Sequence, residues 1–285
     1  MFNPIVDKFF NLAILEDIGN GDITSELLIP EDTFAKAHII CKEDCILAGL
    51  PFIKRFFVVL SSYFKLKSDG VDFIDYCNDG DFVKKGEIIS ELKGNARLLL
   101  AGERIALNIL QRLSGIATLT SKFVRKTEGY DIKILDTRKT TPCMRFMEKY
   151  AVRVGGGFNH RFALYDAVLI KDNHIKITGS VKDAIKLSKK KAIHQKIEIE
   201  VKNIEELKEA VLEGADIVML DNMDMESIKK AVQIAKGKVL LEVSGGVNLE
   251  NIHEIASTGV DFVSIGALTH SAKAVDISMK IREVL

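Results

Sequence analysis

The sequence predicts an α/β protein in two parts, a small N-terminal α/β sandwich followed by an incomplete, six-stranded parallel α/β barrel. Three observations carry this. After residue 130, short apolar runs alternate with amphipathic segments of helical period, the pattern of parallel βαβ units. Each run ends in residues able to do chemistry. Residues 35 to 94 have another texture, short β-like runs broken by turns.

The chain opens on MFNPIVDKFFNLAILEDIG, which reads as an amphipathic helix starting near Pro4. It lacks the positive start and unbroken apolar run of a signal peptide. The β-like runs of the first part are AKAHIICKE, FKLKS and DFVKKGEIISELKG, with turns at Asn78-Asp79-Gly80-Asp81 and Lys85-Gly86. The last run has the look of a biotinyl or lipoyl carrier hairpin, but no Met-Lys-Met or Asp-Lys-Ala setting presents a lysine. It is therefore assigned to the sandwich. From Ala101 to Glu128 the apolar residues Ile105, Ile109, Leu113, Ile116 and Leu119 recur at helical spacing. Gly115 interrupts that stretch, which predicts two helices or one bent one.

Six strands follow: IKILDTR (132–138), AVLIKDN (167–173), KIEIEVK (196–202), DIVMLDN (216–222), KVLLEVSGG (238–246) and DFVSIGAL (261–268). Their near-continuous apolar character means both faces are covered, which leaves a barrel or a doubly wound sheet. The strand ends decide for the barrel: Asp136 with Arg138 and Lys139, Lys171 with Asp172, Glu200, Asp221, Ser244-Gly245-Gly246, and Gly266. In a parallel barrel all such ends converge on one mouth. The last two strands run through SGG and IGA into helices, where barrels often hold a phosphate. No GxGxxG follows a strand and no GxxxxGK[ST] occurs, so nucleotide-binding alternatives lose support. Six strands rather than eight imply an incomplete barrel, closed by the 101–128 helix or by the first domain.

Forty basic and forty acidic residues cancel, which argues against a nucleic-acid or membrane-surface binder. Between Asp136 and Lys176, however, eight Lys/Arg face four Asp/Glu, with His160 and His174 besides. Cys41, Cys45, Cys77 and Cys143 form no CxxC and no zinc spacing. No run of eighteen apolar residues is present. A soluble, cytoplasmic protein is expected.

The local excess of charge centres on RVGGGFNHR (153–161), flexible backbone between fixed cations. Pooled at the mouth, Arg138, Lys139, His160, Arg161, Lys171, Glu200, Asp221, Ser244, Gly246, Gly266 and His270 suit a substrate with several anionic groups, one a phosphate. The two carboxylates suit sugar hydroxyls or magnesium. Plainer readings exist for single members: Lys171–Asp172 as an ion pair, Glu200 turned outward beside Glu198 and Lys202, Thr140-Thr141-Pro142 as a turn, His270 as a helix cap. No nucleophile–base pair is evident, so charge placement is expected to drive the chemistry.

These residues fall in long motifs: LEDIGNGDIT (15–24), ERIALNILQRLSGIAT (103–118), DTRKTTPxxR (136–145), EKYAVRVGGGxNHR (148–161), DAVLIKDNH (166–174), ExEV (198–201), ADIVMLDNM (215–223), LEVSGGV (241–247) and GVDFVSIGALTHSAKAxDISM (259–279). In this order, from about residue 12 onward, they resemble the quinolinate phosphoribosyltransferases, the carboxylating nicotinate-nucleotide pyrophosphorylases. A sister family, the molybdenum-operon ModD proteins, shares DTRKT but departs where this chain reads GGGFNHR and LIKDNH. A ModD-type transferase acting on another aromatic acceptor is the alternative.

The resemblance implies the fold of type II phosphoribosyltransferases: residues 1–113 with 271–285 as the sandwich domain and 114–270 as the barrel. It implies a cytoplasmic homodimer, or a dimer-built hexamer, with Arg104 supplied across the interface. The implied reaction joins quinolinate and phosphoribosyl pyrophosphate, with Mg2+, to give nicotinate mononucleotide, pyrophosphate and CO2. By the same resemblance Arg104, Arg138, His160, Arg161 and Lys171 clamp the dicarboxylate, and Lys139, beside Thr137, lies near the pyrophosphate. Glu200 and Asp221 hold ribose hydroxyls and magnesium. Ser244, Gly245, Gly246, Ile265, Gly266, Ala267 and His270 belong to the phosphate loops. Lys139, Lys171, Glu200 and Asp221 are the expected catalytic residues. One departure is Cys143, where the family has glycine. If that position has φ > 0, strain on the order of 1–3 kcal/mol is expected there.

Overall fold

The computed structural model describes residues 4–64, 70–192 and 194–285. Of the FKLKS run, only Phe64 lies among them, as the C-cap residue of a helix; the rest is outside the described residues. The chain divides into two compact units. One comprises Met1–Ser121, Thr140–Gly156 and Thr269–Leu285, the other Lys122–Lys139 and Gly157–Leu268.

The first unit runs α1 (Pro4–Asp17), α2 (Ile23–Leu28), β1 (Phe34–Cys41), β2 (Cys45–Ile46), α3 (Leu50–Tyr63), β3 (Val71–Asp75), β4 (Phe82–Val83), β5 (Ile88–Asn95) and most of α4 (Ala96–Lys126). Its antiparallel sheet has the order β12-β1-β5-β3, where β12 is the C-terminal strand Ile277–Val284. Alternate residues of β1 (Ala35, Ala37, Ile39) are buried, the period of a strand with one covered face. α3 starts after Gly49 at φ +122° with Pro51 in its first turn, a start proline favours. It buries Phe52, Ile53, Phe56, Phe57 and Leu60, and Phe10 of α1 meets Phe56 edge-on with centroids 5.7 Å apart.

α4 is one helix of 31 residues, so Gly115 does not divide it. The reason for the glycine is contact: a β-carbon there would stand 2.1 Å from the Lys273 carbonyl oxygen. Helix α5 (Arg145–Val154) is held to α4 by fully buried Glu148. That carboxylate takes two bonds from Arg112 (3.1 and 2.9 Å) and two from the Thr141 amide and hydroxyl. Gly155, first of the three consecutive glycines, serves the same packing, since a β-carbon would sit 2.5 Å from the Ala117 carbonyl oxygen. Gly156 turns the chain at φ +88°.

The second unit alternates β6 (Lys133–Leu135), β7 (Val168–Ile170), α6 (Asp172–Thr178), α7 (Val181–Lys191), β8 (Ile197–Val201), α8 (Ile204–Leu212), β9 (Ile217–Asp221), α9 (Met225–Ala235), β10 (Leu240–Ser244), α10 (Ile252–Ala256), β11 (Phe262–Ser264) and the first half of α11 (Ala267–His270). All six strands pair parallel in the order β6-β11-β10-β9-β8-β7. Ser180, Asn203 and Asp224 cap α7, α8 and α9 by accepting amide hydrogens from Asp183, Glu206 and Ser227. The register sets the mouth. Asp221 of β9 pairs with Ser244 of β10, and Ser244 with Ser264 of β11. In the row beneath, Glu200 pairs with Met219 and Met219 with Glu242.

Candidate active site

At the C-terminal strand ends of the second unit opens a cavity of about 420 Å³. Thr137, Arg138 and Lys139 reach it from the end of β6, Lys171 from β7, Glu200 from β8, Asp221 from β9, Ser244 from β10 and Ser264 from β11. His160 and Arg161 join them from a loop laid along β6. Phe158 donates to the Ile134 carbonyl at 2.8 Å and accepts from Asp136 at 3.1 Å. Buried Asp136 then accepts from the Asn159 side chain (2.6 Å) and the His160 amide (2.9 Å). A strand-end carboxylate thus aims the loop.

The cations face one another. Burial, then the like charge of Arg138, pulls the Arg161 guanidinium below its ordinary pKa. Arg161 is steadied by a 3.0 Å bond to the Ala167 carbonyl. Lys171 pairs with Glu200 at 3.0 Å, while Asp172 pairs instead with Lys202 at 3.3 Å. The plain Lys171–Asp172 pair is therefore not the arrangement formed. Glu200 turns into the mouth, not outward. Burial and then the neighbouring Glu200 charge raise the Asp221 pKa. Two carboxylates on adjacent strands with one lysine form a donor set that fits a magnesium ion, which takes few carboxylates and completes its shell with water and substrate oxygens.

His160 sits differently from a free clamp. Its Nδ1 accepts the Arg161 backbone N–H at 2.7 Å, so the proton is on Nε2. Nε2 points below the floor to Glu198, 3.1 and 3.3 Å from its two oxygens, with Glu242 at 3.6 Å. These donor atoms all lie within 4.8 Å of one another. Burial, then the Glu198 charge, pushes the Glu242 carboxyl up to about 7, against the opposing pull of His160.

Other expected site residues lie outside that cavity's lining. Gly245 and Gly246 follow β10 at φ +91° and +64°, and the Gly246 carbonyl accepts from the Asn251 side chain at 3.0 Å. Ile265, Gly266 and Ala267 follow β11. His270 ends α11 and bonds to Ser271 at 2.6 Å. Arg104 lies exposed on α4 in the first unit. Cys143 does take the strained backbone, at φ +66°. Glu242 and Asn222 were not singled out from sequence, and Glu198 only as an outward neighbour. Period 2 along IEIEVK and LLEVS could have found both glutamates, since Glu198 and Glu200, like Glu242 and Ser244, share a strand face.

A parallel α/β barrel whose mouth gathers arginines, lysines and two carboxylates has the build of an enzyme for anionic small molecules. The family model for the C-terminal domain of quinolinate phosphoribosyl transferase matches residues 116–280, and that for its N-terminal domain matches 22–114. The chain belongs to the quinolinate phosphoribosyltransferase family. A probable nicotinate-nucleotide pyrophosphorylase [carboxylating] of Bacillus subtilis is 46% identical over 275 residues, spanning 96% of this chain and 92% of that relative. One from Methanocaldococcus jannaschii is 44% identical, with 96% of each covered. The nicotinate-nucleotide pyrophosphorylase structure from Francisella tularensis matches with a TM-score of 0.91 at 44% identity, covering 99% of this chain and 98% of that one. Among the described residues no helix is long and apolar enough to cross a membrane.

Proposed function

We propose that this chain transfers phosphoribosyl from phosphoribosyl pyrophosphate to quinolinate with decarboxylation. The products are nicotinate mononucleotide, pyrophosphate and CO2, the entry of a pyridine ring into NAD biosynthesis. The observation that carries the reading is the facing pair Arg138 and Arg161, with Lys139 and Lys171 in the same cavity. Such a gathering of cations suits a ligand with adjacent carboxylates and phosphates, which arginine forks grip in pairs.

In this reading the arginines hold the dicarboxylate so that the ring nitrogen lies in line with the anomeric carbon of the sugar. That positioning is worth up to ~7–11 kcal/mol in ideal intramolecular cases. Lys139 meets the departing pyrophosphate, and Glu200 and Asp221 hold the ribose hydroxyls. The same two carboxylates would hold magnesium, which would neutralise charge on the leaving pyrophosphate. Once the nitrogen carries the sugar, its positive charge stabilises the carbanion left as CO2 departs, and a proton from water then fills that ring carbon, so no general base is required. Ser244 and the glycines after β10, with Ile265, Gly266, Ala267 and His270, are assigned to the 5′-phosphate.

The same reading makes the protein a cytoplasmic homodimer, or a hexamer built from dimers, in which Arg104 of one chain completes the mouth of another. Its support is the family resemblance together with the exposed position of Arg104. The deciding assay supplies magnesium, quinolinate and phosphoribosyl pyrophosphate and follows nicotinate mononucleotide and CO2, with nicotinate as a parallel acceptor. Product from quinolinate alone is expected. Absence of product from well-folded protein sends the search to the ModD-type acceptors. Light scattering, and mixing of inactive Arg104→Ala with inactive Lys171→Ala chains, tests the shared site: restored activity requires it.

A further inference from the structure

Beneath the mouth, three ionisable side chains are packed where one proton too many or too few matters. Glu242 on β10 is 1% exposed and Glu198 on β8 is 6% exposed. His160 faces both at 3.1–3.6 Å. The Glu242 Oε1 atom is buried without a hydrogen-bond partner of good geometry. Two ionised carboxylates so close and so dry would repel strongly. One of the three groups must therefore carry an extra proton, and geometry excludes His160. Its Nδ1 accepts the Arg161 amide hydrogen, and a second ring proton would break that bond and displace the residue that grips substrate.

Building on the quinolinate reading above, we propose that Glu242 is a positioning residue that works as a neutral acid. It keeps His160 in its Nε2–H form, bonded to Glu198, and leaves one negative charge rather than two under the Arg138–Arg161 pair. The groups facing Glu242 are Glu198 from β8, His160 from the β6-side loop and Lys171 from the end of β7, with neutral Ser264 on β11. Glu198 favours the protonated acid; a positive charge on His160, the Ser264 hydroxyl and Lys171 oppose it. Burial outweighs them.

Loss of the Glu242 proton has one of two consequences. Either a second buried charge repels the dianionic substrate, or His160 takes up a proton on Nδ1 and releases the Arg161 backbone. Both weaken substrate binding and leave the bond-making geometry of bound substrate largely alone. The effect belongs in KM for the diacid, with kcat little changed.

The test compares wild type with Glu242→Gln, which keeps the shape and cannot ionise, at saturating phosphoribosyl pyrophosphate between pH 6 and 8.5. In the wild type, KM for quinolinate is expected to rise about tenfold across that range, the size of one added charge about 12 Å away at an effective dielectric of about 20. In Glu242→Gln it should stay flat at the wild type's acid-side value. A rise retained in the variant, or a KM raised at every pH, overturns the proposal. A second measurement needs neither turnover nor a variant: ¹⁵N NMR of the wild-type His160 ring should show protonated Nε2 and bare Nδ1 throughout pH 6–7. A doubly protonated ring there overturns the proposal, as does a stoichiometric transition metal bound at the cluster. If quinolinate is not turned over at all, the functional reading fails while the NMR result still decides the role of Glu242.

Discussion

The side-chain amide of Asn222 occupies the place where a β-carbon on Gly245 would stand, 2.2 Å from its oxygen. Asn222 itself is left-handed, at φ +53°, and from there donates to Asp221 Oδ1 at 2.8 Å. Gly245, also left-handed at φ +91°, thus leaves room for the residue that orients a mouth carboxylate. Gly245→Ala should push Asn222 aside and free Asp221 to rotate. Loss of kcat/KM by about 10- to 100-fold is expected, the scale of a small misplacement of a positioned group. A double-mutant cycle checks the route: added to Asn222→Gly, Gly245→Ala should cost little more.

Cys143 offers a gain instead of a loss. It is exposed and held at φ +66°, a conformation that costs a non-glycine residue about 1–2 kcal/mol. Cys143→Gly removes that strain and gives back part of it through the looser unfolded chain, about 0.5–1 kcal/mol. Net stabilisation of about 0.5–1 kcal/mol, read as a rise of roughly 1–3 °C in the first unit's melting, is expected. Cys41 and Cys45 are buried, so a thiol reagent should label Cys143 first in native protein.

Arg161 and Arg138 make a separate case. Burial and then the like charge of Arg138 disfavour the Arg161 cation, so its removal costs binding more than folding. Arg161→Ala should raise KM for quinolinate on the order of 100-fold, the loss of a charge-assisted pair of bonds, with a smaller change for phosphoribosyl pyrophosphate. Arg161→Lys should recover only part of this, since a point charge cannot replace the fork. A circular-dichroism melt unchanged within a degree or two separates this from misfolding.

The strands of the second unit were legible because each is a short apolar run ending in polar residues, and the mouth cations followed from those ends. What could not be read was which face a polar residue takes. Glu198 looked like an outward neighbour because its partners, Glu242 and His160, come from 44 residues later and 38 earlier. Only the tertiary fold brings them together. The reason for Gly115 was hidden in the same way. Its contact is Lys273, and helix periodicity carries no information about a segment that returns from the far end of the chain. The triple glycine shows a shared purpose: Gly155 meets α4, and the mouth takes only the His160–Arg161 end of that motif.

The buried acid also leaves a mark on folding. The folded protein holds the Glu242 proton up to about 7, whereas the unfolded chain releases it near 4.5. Between those values the unfolded state binds fewer protons, so stability falls as pH rises, and the cost is complete above about 7. At about 1.4 kcal/mol per pKa unit the loss is on the order of 3 kcal/mol. Asp7 and Asp22, held low by Arg55 and Ser25 respectively, act in the opposite sense but below this window. Asp221, raised by burial and Glu200, adds to the same slope, so the variant must isolate Glu242. Urea unfolding of wild type and Glu242→Gln at pH 5, 6, 7 and 8 should give curves that diverge with pH, the variant gaining relative stability on the alkaline side. Parallel curves would mean that Glu242 is already ionised in the folded protein at pH 5, and that the floor of the mouth carries two charges.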